Sequence, residues 1–508
     1  MKTEARRLRL ALALAGWCAS AAWATSPALG DETTSVRAQM AWQEARALSD
    51  QKRFADALAT LERALADEPG RFDLLWLQAG VTGWSGRHHE SVALYRKLMA
   101  AHPDRARDLR TDLADELADA DRLDQALSEF ARAQAEDSSN TRARLGYART
   151  LNWSGRHREA ARAYRQLLAK GVDDPEVYDG LAHAEYWAGR TDRARSALTS
   201  LLERQGADPE AASLDAALRR ESRPTLTTGY EGSSDSDDLT LGTWSAEYRA
   251  PLGSRDALLL TWRGDRVEDA GGGYDLGRAG LGHVRLWSDV VETHAYGSWQ
   301  YRGPAGDRRF VGDGWATLRP TDALRLDLGL GREQVRTRRA LDLTMLYWTG
   351  SASVDWQATP RWSAHGSHRE NFYADRNRSW LSGAEFDYRF ASRRSAAWTS
   401  GMEFQHLAAE SDPDNGYYAP RSYVEIGPRF AVSAEPSPGW SVDAAFRAGR
   451  EREARGLWNT YYGLEASLVA PLGRSASVAL QGARTDSHLG SEAGFERTAG
   501  AAYLIVRF

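Results

Sequence analysis

The residues of this chain best suited to chemistry are its histidines and its one cysteine, and their spacing argues against most of what they could do. His365 and His368 stand three apart in a stretch that reads as a strand, so they point to opposite faces and cannot share a metal ion. His88 and His89 follow a glycine turn and read as solvated. His283, His294, His406 and His488 lie in separate segments, with no serine or aspartate partner that spacing identifies for hydrolysis. Gly271-Gly272-Gly273 lacks the strand–glycine–helix context of a phosphate site. Cys18 lies inside an apparent secretory leader, so the mature chain is expected to have no thiol, disulfide or zinc-thiolate centre. No catalytic residue, metal or cofactor is expected, and the chain does not read as an enzyme.

A different chemistry lies in charges that alternate with apolar residues after Pro224. Glu247 and Arg249 interleave with Trp244, Ala246, Tyr248 and Ala250. Arg325 and Asp327 interleave with Leu324, Leu326, Leu328 and Leu330. Glu385, Asp387 and Arg389 oppose Ala384, Phe386, Tyr388 and Phe390; Asp443 and Arg447 oppose Val442, Ala444 and Phe446; Glu465 opposes Leu464, Ala466 and Leu468. In a strand such sets occupy opposite faces. A charge facing lipid costs about 2–4 kcal/mol at mid-membrane, so these charges are expected to line a lumen. Both signs are present, which suits a hydrophilic polymer of little net charge better than a simple ion.

The elements that would position them are strands with period two. Turn signals divide residues 224–508 into sixteen expected strands: 224–232, 239–250, 257–268, 274–288, 292–302, 309–319, 324–334, 343–358, 362–373, 378–390, 397–407, 417–434, 440–450, 458–470, 476–485 and 497–508. Connections after even strands are short and often carry proline, as in Pro251-Leu252-Gly253 and Pro471-Leu472-Gly473; several after odd strands are longer and polar. Short turns on one side and longer loops on the other are the habit of membrane barrels. Phe508, Val506, Leu504 and Ala502 share one face of the last strand, which looks like the sorting signal of outer-membrane barrels.

Residues 37–205 follow a different period. A turn ending in arginine recurs at Arg53, Arg87, Arg122, Arg156 and Arg190. Four residues later stands a small residue (Ala57, Ser91, Ala126, Ala160, Ala194), and four further an aromatic or leucine (Leu61, Tyr95, Phe130, Tyr164, Leu198). These are paired antiparallel helices, and the pattern resembles the tetratricopeptide repeat, which implies a docking surface. Trp84, Trp153 and Trp187 recur before the turn; packing between helices is the plainer reading, stacking on a partner or a polymer the functional one.

Lys2, Arg6 and Arg7, an apolar Leu8–Ala15 and Ala22-Trp23-Ala24 read as a cleaved secretory signal over 1–24. Trp17 before Cys18 argues against lipidation. The expected organisation is a signal (1–24), an all-α repeat domain (25–218), a charged linker (219–224) and a transmembrane antiparallel β-barrel (225–508). A mean hydropathy of −0.56 leaves no apolar run after the leader long enough for a spanning helix. The net charge of −5 and the absence of a basic stripe give no footprint for nucleic acid.

Signal, repeats and barrel together resemble the outer-membrane exopolysaccharide exporters of the poly-N-acetylglucosamine and cellulose type. Asn415-Gly416-Tyr417-Tyr418-Ala419-Pro420 is similar to a Gly-Tyr-aromatic-x-Pro stretch of the cellulose exporter. The resemblance implies a barrel in the outer membrane that passes a polysaccharide, with repeats in the periplasm engaging proteins or the polymer. A compact type with few repeats, YaiO, also joins repeats to a barrel, and implies a binding or scaffold protein whose barrel is mainly an anchor.

Overall fold

The computed structural model describes residues 36–206, 209–302, 307–393, 395–437, 439–487 and 496–508. The expected signal, Cys18 and His488 lie outside the described residues. Two compact units divide between Leu214 and Asp215, inside the last helix of the helical region.

Among the described residues the first unit is helical: α1 Val36–Asp50, α2 Phe54–Asp67, α3 Phe72–Trp84, α4 His88–Ala101, α5 Ala106–Asp119, α6 Leu123–Glu136, α7 Thr141–Trp153, α8 His157–Ala169, α9 Pro175–Trp187, α10 Thr191–Gln205 and α11 Pro209–Glu221. Consecutive helices from α1 to α10 pack together, and the first helices of successive repeats (α1, α3, α5, α7, α9) also touch. The recurrent arginine marks a helix stop with a physical cause. Its N–H bonds back to the carbonyl five residues earlier, as in Arg122 to Leu117 (2.8 Å) and Arg156 to Leu151 (3.0 Å). The residue before it takes positive φ: Lys52 +60°, Gly86 +85°, Asp121 +58°, Gly155 +82° and Gly189 +77°. This is the Schellman closure, and it favours glycine there.

The small residues are buried where paired helices approach, and the aromatics fill the next gap. Phe130 and Tyr164 lie directly on Gly146 and Gly180, where a Cβ would collide with the rings. Pro175 and Pro209 sit at the first position of a helix, where a missing N–H costs nothing. Helix α11 runs on to Glu221, so the expected linker shrinks to Ser222–Pro224.

The second unit is a closed antiparallel barrel of sixteen strands: β1 Thr225–Asp235, β2 Thr240–Pro251, β3 Asp256–Asp269, β4 Gly272–Leu286, β5 Val291–Arg302, β6 Asp307–Leu318, β7 Leu324–Gln334, β8 Leu346–Gln357, β9 Trp362–Tyr373, β10 Arg378–Arg393, β11 Ala396–Ala409, β12 Tyr423–Ala434, β13 Ser441–Glu453, β14 Asn459–Pro471, β15 Ala476–Thr485 and β16 Arg497–Arg507. The pairing Thr225↔Arg507 through Asp235↔Arg497 closes the ring, leaving no free edge. A bulge at Arg389/Ala391 shifts the register of β10 against β11. No described helix is long and apolar enough to cross a membrane.

Two connections differ from expectation. Residues 335–345 contain a short helix, α12 (Arg338–Asp342), where the sequence suggested only a loop running into a strand at 343. The twelfth strand begins at Tyr423 and not at 417, so Gly416-Tyr417-Tyr418-Ala419-Pro420 is loop.

Candidate functional site

Register assigns every strand residue to one of two sets of rows. Leu330 is 73% exposed, Trp299 61% and Trp348 59%; with Leu328, Phe386, Phe446 and Leu464 they form the outward rows. The opposite rows meet across the interior. Arg278 on β4 is 3.2 Å from Glu333 on β7, and the Tyr461 hydroxyl on β14 donates to Glu403 on β11 at 3.0 Å. Contacts between non-neighbouring strands identify those rows as the lumen.

Glu247, Arg249, Arg325, Asp327, Glu385, Asp387, Arg389, Asp443, Arg447 and Glu465 all occupy inward rows. They do not converge on one point. Arg325 pairs with Asp327 (2.8 Å), which also accepts from Thr317. Arg429, not singled out in the sequence, bonds Asp387 at 2.8 Å and lies 3.6 Å from Glu385. Arg447 is 3.7 Å from Glu465. His365 points inward to Asp355 (3.0 Å), while His368 points outward and bonds Ser382 (2.9 Å).

Alternation failed to reveal the lumen aromatics. Trp315 on β6 stacks with His294 (4.4 Å between centroids) and Tyr296 (5.6 Å) on β5. β5 carries aromatics on both faces, with Trp299 and Tyr301 outward, so period two gave no preference there. Tyr423, Tyr461, Glu403, Glu425 and Glu451 are also inward, and all are buried.

The mouth at the end with the longer loops is occupied. Leu341 of α12 packs on inward-facing Val267 and Leu276 and on Leu239. Arg338 bonds Asp269 (2.8 Å), Arg302 donates to the Leu341 carbonyl (2.7 Å), and the Tyr274 hydroxyl donates to Asp342. These partners sit on the β1–β5 wall, whereas α12 springs from β7, so the helix lies across the opening. Its other side meets residues 410–422. Val335, Ala340 and Met345 cluster with Ala409, Tyr417 and Ala419. Thr337 both caps α12, through the Ala340 N–H, and donates to the Gly416 carbonyl. Gly416 has φ +83°, and a Cβ there would meet the Ala340 nitrogen at 2.7 Å, so the contact requires glycine.

Tyr417 stacks on Tyr373 at 4.0 Å and donates to Asp375 at 2.8 Å. Burial works against the charged form of Asp375, but bonds from Asn415, Tyr417 and the Asn377 N–H outweigh it and hold the carboxyl below its usual range. Thr337 ahead of Arg-Arg-Ala-Leu was the one signal that could have found α12.

In the helical unit an ion ladder runs across α3, α5, α7 and α9. Trp76 Nε1 donates to Asp112 (2.7 Å); Arg142 bridges Asp112 and Asp115 (2.6 and 2.7 Å); Arg149 bridges Asp115 and Glu176 (2.9 and 3.0 Å). Burial raises the Asp112 and Glu176 carboxyls above their usual range against the opposing arginines. Trp84, Trp153 and Trp187 are all half-buried. Arg46 lies over Trp84 and Arg149 over Trp153, and Trp187 lies between His157 and His183.

A family model for the tetratricopeptide repeat matches residues 117–182 and 154–218. The chain joins tetratricopeptide repeats to a sixteen-stranded barrel. It is similar to a solved bacterial polysaccharide outer membrane secretin, at 13% identity and TM-score 0.49, covering 56% of this chain and 99% of that one. It is similar also to a thermophilic tetratricopeptide-repeat protein of Thermus thermophilus, at 23% identity and TM-score 0.32, covering 36% of this chain and 98% of that one. A third likeness is to a repeat protein from Parabacteroides merdae, at 17% identity and TM-score 0.33, covering 36% and 71%. No curated protein matches the chain.

Proposed function

We propose that the barrel is an outer-membrane channel for an exopolysaccharide, with the repeats in the periplasm docking synthesis or modification proteins or the polymer. The observation that carries this reading is the composition of the lumen wall. Paired charges of both signs stand beside hydroxyls and an inward Trp315–His294–Tyr296 stack. A sugar chain offers hydroxyls to the first and C–H faces to the second. Such a wall binds a neutral polymer weakly at many places, which lets it move.

The mouth latch supports a second reading, in which the barrel is chiefly an anchor and the repeats act as a scaffold. Planar-bilayer recording separates the two. The channel reading expects small or no conductance from the intact chain and a clear rise when residues 336–344 are replaced by a short glycine-serine link. Added polysaccharide should then block the current. If the opened variant stays silent while its barrel is folded, the anchor reading stands.

A further inference from the structure

The outward rows end differently at the two rims of the barrel. Toward the longer loops, a run of apolar positions gives way to arginine on six of the sixteen strands. On β7, Leu324, Leu326, Leu328 and Leu330 are followed by Arg332; on β13, Val442, Ala444, Phe446 and Ala448 by Arg450 and Arg452. The same outward succession ends at Arg266 on β3, Arg308 on β6, Arg378 on β10 and Arg484 on β15. At the opposite rim the outward ends are Leu226, Leu318, Leu324, Val442 and Ala476, with Arg285 beside Asp256 the exception.

Some of these arginines have their charge answered and some do not. Arg266 pairs with Glu268 and Asp275, Arg378 with Glu370, and Arg484 with Glu496. Arg308, Arg332, Arg450 and Arg452 have no carboxylate partner among the described residues. Arg332 lies over the Trp348 ring and Arg452 over Trp458 (5.8 and 4.7 Å to the centroids), which hold the guanidinium groups at the aromatic rim. From Leu324 to Arg332 the strand runs about 26 Å at about 3.3 Å per residue, or about 20 Å along the membrane normal at a barrel tilt of about 40°, most of an apolar band of about 25 Å, so the arginines stand at its edge.

We propose that this belt binds phosphorylated glycolipid headgroups of the membrane leaflet at the long-loop end. The guanidinium fork matches phosphate oxygens two at a time, and a phosphomonoester, with more charge and no ammonium of its own, answers it better than a zwitterionic phosphodiester or a neutral headgroup. The belt requires that the barrel span a membrane and is independent of any cargo, so a silent channel would leave it standing.

The test uses the full chain folded in zwitterionic detergent micelles, titrated with bis-phosphorylated lipid A, with dephosphorylated lipid A and with inorganic phosphate. Bound lipid is read by native mass spectrometry, and folding by heat-modifiable gel mobility. R332Q/R450Q/R452Q should weaken binding of the bis-phosphorylated lipid about tenfold, a loss expected for charge-assisted bonds of this kind. R285Q, at the opposite rim, should leave it unchanged. Dephosphorylated lipid A should bind the natural chain no better than the phosphorylated lipid binds the triple variant, and inorganic phosphate should not compete. Should the triple variant fail to fold, R332Q and R450Q singly carry the same comparison. Equal binding of both lipids, or of variant and natural chain, overturns the proposal; displacement by inorganic phosphate also overturns it and leaves a free-phosphate site.

Discussion

In the helical unit Phe130 and Leu117 are fully buried, and Arg142 and Arg149 bridge carboxylates between neighbouring helices. In the barrel Trp299, Phe386 and Leu330 stand outside, and arginines and carboxylates face one another within. The same residue types thus obey opposite placement rules in two parts of one chain. What differs is the solvent against which each face is measured. Water drives apolar groups together between helices, whereas lipid is itself apolar and leaves the barrel interior as the place for charge.

The largest effects should come from breaking each rule where it is strictest. Phe130→Ala removes a fully buried ring that rests on Gly146, and should cost about 3–5 kcal/mol of helical stability, read by denaturant melting of the helical circular-dichroism signal. Phe386→Ala removes the same ring from the barrel exterior, where lipid refills the space, so its cost should be well under half as large. Equal costs would mean that lipid does not cover that face.

Next in size is a charge placed outward. Leu328→Arg should cost about 2–4 kcal/mol and reduce assembly in the outer membrane, while Asp327→Ala, one residue away and inward, should assemble as the natural chain does. Heat-modifiable mobility of membrane fractions reads both. Matching yields from the two variants would reverse the assignment of faces.

This contrast also explains what could be read from sequence. Sixteen strands were legible, because most alternate an outward apolar face with an inward polar one, although β5 carries aromatics on both. The repeats were legible because a fixed turn recurs. The ladder Asp112–Arg142–Asp115–Arg149–Glu176 was not, since its members lie about a repeat apart and no local period links them. The latch was misread for a related reason: Tyr417, Tyr418 and Ala419 look like a strand start, yet Tyr417 and Ala419 pack on a five-residue helix too short to show a period.

A smaller effect concerns pH. Burial alone would lower the His183 imidazole, but the Asp179 carboxylate at 3.2 Å, with Glu210 further off, reverses the sign and raises it. A raised histidine stabilises fully below the unfolded value of about 6.5, and the gain is lost as pH climbs through the higher folded value. The helical melting midpoint should therefore fall across that window, and His183→Gln should flatten the fall. The barrel's own heat-modifiable transition should not follow the His183 change, since that residue belongs to the other unit.

The smallest effect tests whether the repeat turns are interchangeable, a question with no counterpart in the barrel. Gly189 has φ +77° with open space where a Cβ would go, so Gly189→Ala adds backbone strain without a clash. Left-handed strain of about 1–2 kcal/mol, partly offset by the unfolded-state entropy that alanine removes, leaves a net loss of about 1 kcal/mol. Gly86 holds the same turn at φ +85°, also with open space for a Cβ, so Gly86→Ala should cost the same amount. If the two substitutions moved the melting midpoint unequally, the repeats would share a backbone path without sharing its energetics.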